Sequence, residues 1–126
     1  MEQEVKNSMQ LMEFCHFLPK TELHAHLNGS IRRTTLIELL DDNGKEKIGD
    51  LYNQQRSFEN CFKIFQISAT ILTSLDVISR ITREMIEDWA KVNCVYLEIR
   101  TSLKSINKTT KEDYLWTVLN EINIGK

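Results

Sequence analysis

An α/β fold with a parallel sheet is the class this sequence predicts, and three observations predict it. Thr21–Leu27 alternates in the two-residue period of a strand. Cys94–Ile99 is a short apolar run, rich enough in β-branched and aromatic residues to favour a buried parallel strand over a helix. Between and after these runs, apolar residues recur at helical spacing. The order is strand, helices, strand, helix, which is the grammar of βα units around a parallel sheet. The 126 residues suffice for one ordinary domain.

Taken in order, residues 1–16 are polar apart from Leu11, Met12 and Phe14, and read as a loosely docked N-terminal arm or short helix, with 17–126 forming the domain. The single proline, Pro19, directly precedes the first strand. In that strand Glu22, His24 and His26 share one face and Leu23, Ala25 and Leu27 the other. Asn28-Gly29-Ser30 breaks the strand; Gly29 permits a tight turn, and Ser30 is the expected cap of a helix through Leu36, Ile37 and Leu40. Asp41–Arg56, with Asn43-Gly44 and Gly49-Asp50, reads as a surface loop.

Ser57 caps the next expected helix, whose stripe of Phe58, Cys61, Phe62, Phe65, Ala69 and Leu72 is expected to pack on the sheet. A third helix, from about Asp76 to Lys91, carries Val77, Ile81, Met85 and Trp89, widened by Ile78 and Ile86. Trp89 reads as core and not as a platform for a base. After the Cys94–Ile99 strand comes a loop, 100–108. Thr110 and Asp113 then form a capping box for a last helix bearing Tyr114, Leu115, Val118, Leu119 and Ile122. Glu98 and Arg100 stand where they can face the sheet's mouth or form a structural ion pair. His16 lies outside any motif and reads as a surface histidine.

Composition excludes several classes. Charged residues make up 27% and the formal net charge is −2, with Lys and Arg scattered, so neither a nucleic-acid polymer nor an anionic membrane surface is an indicated partner. Residues 1–10 lack the apolar core of a signal peptide, and no apolar run nears the roughly 20 residues that span a bilayer, so the cytosol is expected. Cys15, Cys61 and Cys94 are odd in number and form no CxxC. They are expected as buried free thiols, not a disulfide or zinc framework.

The chemistry lies in His24 and His26. Two imidazoles at i and i+2 on a strand project from one face, and both can reach one metal ion at ~2.0–2.1 Å through a ring nitrogen. Each ring then needs a partner for its other nitrogen, and Glu22 on the same face is a candidate. A bare HxH is a weak signal, but its context is specific. Leu18-Pro19-Lys20-Thr21-Glu22-Leu23-His24-Ala25-His26-Leu27-Asn28-Gly29-Ser30 resembles the opening strand of the adenosine/AMP deaminase family, whose pattern is Pro-Lys-x-Glu-Leu-His-x-His-Leu-x-Gly. The resemblance extends through Arg56–Phe65, Arg80–Trp89 and Val95–Thr101, about residues 17–122. It lies nearest the branch that acts on N6-methyl-AMP, with Asn28 where ordinary adenosine deaminases usually carry Asp.

The resemblance implies the N-terminal portion of a (β/α)8 barrel with its site at the C-terminal ends of the strands, of which two are present. It implies one Zn²⁺ per complete site, held in part by His24 and His26, and hydrolytic deamination at purine C6. That reaction takes N6-methyl-AMP to IMP and methylamine, or adenosine to inosine. It further implies that His26, Asn28 and the loop of Thr101, Ser102, Leu103 and Lys104 contact a purine nucleotide or nucleoside, and that the complete enzyme is a monomer.

The family's remaining ligands and its catalytic glutamate lie on later strands; no histidine follows His26, and a barrel takes roughly 250 residues. The chain is therefore expected to be truncated and inactive alone, as a splice form, a gene-model error or a degenerate copy. Two positions depart from the family. Ala69 stands where this branch carries a substrate-facing histidine. Thr101-Ser102-Leu103-Lys104-Ser105 lacks the proline and second basic residue of the usual loop, which should weaken phosphate binding. The alternatives are a non-catalytic helical interaction module and another amidohydrolase-like metal hydrolase. The context around the HxH favours the deaminase.

Overall fold

The computed structural model describes residues 2–125, so Met1 of the expected arm and Lys126 of the expected domain lie outside the described residues. Of the two forms expected for the N-terminal segment, arm or short helix, Glu2–Phe17 takes the helix, α1, with Met9, Met12 and Phe17 exposed. Pro19 cannot continue it, and the chain passes directly into β1, Lys20–His26. Lys20 fastens the junction by donating from Nζ to the Leu18 and Val92 carbonyls, each at 2.9 Å. On the other side Asn93 donates from Nδ2 to the Phe17 carbonyl at 2.7 Å. Asn93 itself has φ 60°, the left-handed turn that asparagine tolerates, and it launches β2, Cys94–Arg100.

β1 and β2 pair in parallel, with Ala25 opposite Ile99 and His26 opposite Arg100. Four helices make the crossover: α2 (Arg33–Leu39), α3 (Asp42–Asn53), α4 (Phe58–Thr70) and α5 (Leu75–Lys91). The last helix, α6 (Lys111–Ile124), follows β2. The core lies between one sheet face and α5 with α6, and it buries Ala25, Leu27, Ile78, Ile81, Met85 and Tyr114. Ser74 caps α5 by accepting from the Val77 N–H, and Thr110 and Asp113 form the capping box expected of α6.

Several expectations are corrected. Residues 41–56 are not a loop, because α3 occupies most of them. The Asp41 side chain accepts from the Gly44 N–H at 2.7 Å and so caps α3, while Ile48 is wholly buried. The glycines that looked like turn residues are helical. A Cβ on Gly44 would stand 2.8 Å from Leu40 Cδ2, so that side chain would have to shift to admit one.

Ser30 is not a helix cap. Its hydroxyl donates to the His26 carbonyl at 2.9 Å, and α2 starts at Arg33 without a side-chain cap.

Only part of the α4 stripe packs inward, with Phe65 against His26 of β1 and Leu72 in the core. Phe58 is 87% exposed and Phe62 64%, while Ser68, Ile64 and Ile67 turn inward. β2 is likewise only partly covered: Leu97 and Ile99 pack on the core, while Val95 near its start and Tyr96 on the opposite face are exposed. The cysteines are not buried either; Cys15 and Cys61 are exposed and Cys94 is half-buried.

Ion pairs tie the crossover helices to α5 and α6. Arg32 grips Asp88 through two hydrogen bonds of 2.8 Å, and Arg83 grips Glu121 in the same way at 2.9 and 3.0 Å. The Arg32 guanidinium holds the Asp88 carboxyl below its ordinary range. Arg83, and after it Ser79, do the same for Glu121. A carboxyl depressed on folding adds stability that is complete above its unfolded pKa and lost as the pH falls through the folded value. Stability is therefore expected to fall as the pH drops below about 4. Urea midpoints at about pH 5 and about pH 3 check this, and Glu121→Gln should shrink the difference. A midpoint that does not move would show that these pairs contribute nothing.

Candidate functional site

Parallel pairing puts the C-terminal ends of both strands at one edge, and the expected site residues gather there. His24 and His26 project from the sheet face that the helices leave open, as strand parity requires. Their Nε2 atoms stand 3.1 Å apart, with ring centroids at 5.0 Å. In neutral rings one Nε2–H donates to the other Nε2.

The same separation suits a shared ion, because two nitrogens at ~2.05 Å from one tetrahedral metal lie about 3.3 Å apart. The donor set is thus compatible with a two-nitrogen part of a zinc site. It is not a whole one: among the described residues no group of three or more His, Cys, Asp or Glu side chains is placed to hold a metal.

The surroundings orient the pair. Phe65 of α4 meets the His26 ring edge-on, with centroids 5.8 Å apart. A Cβ on Gly29 would come within 3.3 Å of the Phe65 ring, so a larger residue there would make that ring give way slightly. Glu22 does not take the role expected of it. Its Oε1 accepts from the His24 backbone N–H at 2.8 Å and not from either ring.

The other expected residues divide into two groups. Asn28 follows His26 in a 3₁₀ turn, Leu27–Gly29, and lines a pocket of about 620 Å³ with Phe65, Arg33, Tyr52, Arg56 and Asn60. Ala69 of α4 does not line it. Thr101, Ser102, Leu103 and Lys104 leave the end of β2, beside the end of β1, but line a different stretch of the edge. Thr101 Oγ1 hydrogen-bonds Tyr114 Oη at 2.7 Å and so fastens this loop to α6.

Glu98 accepts from Tyr96 Oη at 3.1 Å, and neither Glu98 nor Arg100 is in an ion pair among the described residues. Sequence reasoning missed Arg33, Tyr52 and Arg56. The signal was available in Ile48, Leu51 and Tyr52, spaced as one helical face inside a segment read as loop.

Comparison with known proteins bears on family and fold. The family model described as adenosine deaminase matches residues 19–123. A relative from Arabidopsis thaliana, an N6-mAMP deaminase, is 41% identical over 117 residues, which is 86% of this chain and 33% of the relative. The apo structure of the N6-methyl-AMP deaminase from Arabidopsis thaliana superposes with a TM-score of 0.77 at 40% identity, covering 89% of this chain and 35% of that one. A structure of an ADAL–IMP complex superposes with a TM-score of 0.75 at 38% identity, covering 89% of this chain and 36% of that one. The chain thus spans about a third of the length of the relatives it matches. Its two-stranded parallel sheet with flanking helices is part of a (β/α)8 barrel. No helix among the described residues is long and apolar enough to cross a membrane.

Proposed function

The chain belongs to the adenosine deaminase family, and from that premise we propose that it supplies the opening portion of a zinc-dependent deaminase acting on N6-methyl-AMP. The reaction adds water at purine C6 and releases methylamine, leaving IMP. One observation carries the reading: two imidazole nitrogens converge to 3.1 Å at the C-terminal end of a parallel strand, inside a motif of that family. In this reading residues 17–126 are the barrel portion and 1–16 an arm outside it.

Zn²⁺ bound at this edge would supply the Lewis acidity that makes a nucleophile of water near neutral pH. His24 and His26 would hold it through Nε2. Phe65, packed edge-on against His26, fixes one ring's orientation. Asn28, whose side-chain amide both donates and accepts, would bind the sugar-phosphate side of the nucleotide. Thr101, Ser102, Leu103 and Lys104 would close over it from the end of β2, with Lys104 as the cation. The substrate class is supported by relatives named for N6-methyl-AMP deamination and by one solved with IMP, the product this reaction would give.

These 126 residues hold His16, His24 and His26 as their only histidines, so they offer two ligands where a catalytic zinc site uses three. Alone, the chain is expected to turn over no substrate. Joined to the two thirds of the Arabidopsis relative that it does not match, it is expected to release methylamine from N6-methyl-AMP in the presence of Zn²⁺, faster than ammonia from adenosine. A fusion that folds and binds IMP yet releases neither amine would overturn the proposal.

A further inference from the structure

The pocket beside Asn28 carries a charge pattern that the family motif does not account for. Arg33 and Arg56 both line it, and no carboxylate does. Elsewhere on the crossover helices, arginines are committed to carboxylates. Arg32 is bound to Glu87 and Asp88, Arg80 to Glu38 and Glu84, and Arg83 to Glu121. Arg33 and Arg56 have no such partner among the described residues. Two guanidinium groups sharing one concave site repel each other unless an anion joins them.

The Arg33 side chain and the backbone that leads into Arg56 are both held. The Arg33 guanidinium lies over the Tyr52 ring, 4.3 Å from its centroid. Asn60 donates from Nδ2 to Gln54 Oε1 at 3.2 Å and to the Gln55 carbonyl at 3.1 Å, which fixes the segment ending in Arg56. The rest of the wall mixes apolar residues, Leu36, Ile64 and Phe65, with the amides of Asn28, Gln54 and Asn60, which can add hydrogen bonds to an anion's oxygens. The volume, about 620 Å³, falls in the range of small-ligand sites. The pocket adjoins the histidine pair through Asn28 and Gly29, which follow His26, and through Phe65, which touches its ring.

We propose that this pocket is an anion subsite in which Arg33 and Arg56 take the phosphate monoester of a nucleotide whose base lies toward His24 and His26. The position of the base rests on the deaminase reading; the anion site itself does not. Guanidinium forks match a phosphate's oxygens in pairs, which a lone ammonium cannot do. The pair makes good what the Thr101–Ser105 loop lacks, since Lys104 is its only cation.

The test is a titration of the ¹⁵N-labelled full chain with inorganic phosphate, AMP and adenosine at constant ionic strength. Saturable shifts of the Asn28, Gly29, Arg56 and Asn60 amides are expected with phosphate and with AMP. Adenosine should bind at least about tenfold more weakly than AMP, as befits the loss of charge-assisted hydrogen bonds. Arg33→Gln and Arg56→Gln should each weaken phosphate at least about tenfold on the same grounds; both side chains are exposed, and circular dichroism confirms that each variant folds. Binding of inorganic phosphate but not AMP, shifts confined to residues 101–104, or equal affinity in the double variant would each overturn the subsite. Phosphate shifts that persist in His24→Ala would keep it standing even if the metal reading fails. Unchanged Co²⁺ binding in the double variant would keep the metal reading standing if the subsite fails.

Discussion

Replacing either His24 or His26 by alanine is expected to lower the affinity of the full chain for Zn²⁺ by at least about 100-fold. Removing even an outer partner of a metal ligand costs about 10–100-fold, and removing a ligand should cost more. The pair works as a chelate because the strand presents both rings on one face and Phe65 restrains one of them. With one ring gone, the survivor is a single exposed imidazole, and no third ligand stands by among the described residues. Competition with a zinc-sensitive dye measures the constant directly, and Co²⁺ absorption reports the coordination. Glu22→Gln should leave the affinity within a few fold, because its carboxylate meets a backbone N–H and neither ring. Equal affinity in the wild type and both alanine variants would mean that the 3.1 Å contact is a hydrogen bond between two rings and nothing more.

The second large effect lies in the core. Ile81→Ala should cost about 2–5 kcal/mol, the usual loss for emptying a packed aliphatic site. Ile81 is 1% exposed on α5, the helix that packs against α6, β2 and the turn after His26. Small domains have only about 5–15 kcal/mol to lose. Phe62→Ser on α4 should change stability by no more than about 0.5 kcal/mol, as surface substitutions do. Urea denaturation of the two variants decides the matter. A Phe62→Ser loss as large as that of Ile81→Ala would mean that the α4 stripe is covered in solution.

The contrast between these residues marks how far the sequence can be read. Phe62 and Ile81 sit in stripes of equal regularity, and periodicity alone assigns both to the core. Periodicity reports that a helix has an apolar face, not whether anything lies against it. Capping was legible where the side chain had one close partner, as at Ser57 and in the Thr110–Asp113 box. It misled at Ser30, whose hydroxyl found a nearer acceptor in the carbonyl at the end of β1. Asp41–Arg56 was misread because Asn-Gly and Gly-Asp are turn dipeptides on average, and a cap at Asp41 with burial of Ile48 outweighs roughly 1 kcal/mol for each helical glycine.

By itself the sequence determined the parallel α/β order, the helices from Ser57 onward, and the histidine pair with its face. These follow from local rules: the two-residue period of a strand, the 3.6-residue period of a helix, and the reach of a capping side chain. Only the tertiary structure decided which stripes are covered, that Glu22 serves a backbone N–H, and that Arg33 and Arg56 meet at one pocket beside Asn28. The first and the last depend on residues far apart in the chain, which periodicity does not report; the second is a local choice, in which Glu22 reaches the N–H two residues on and not a ring.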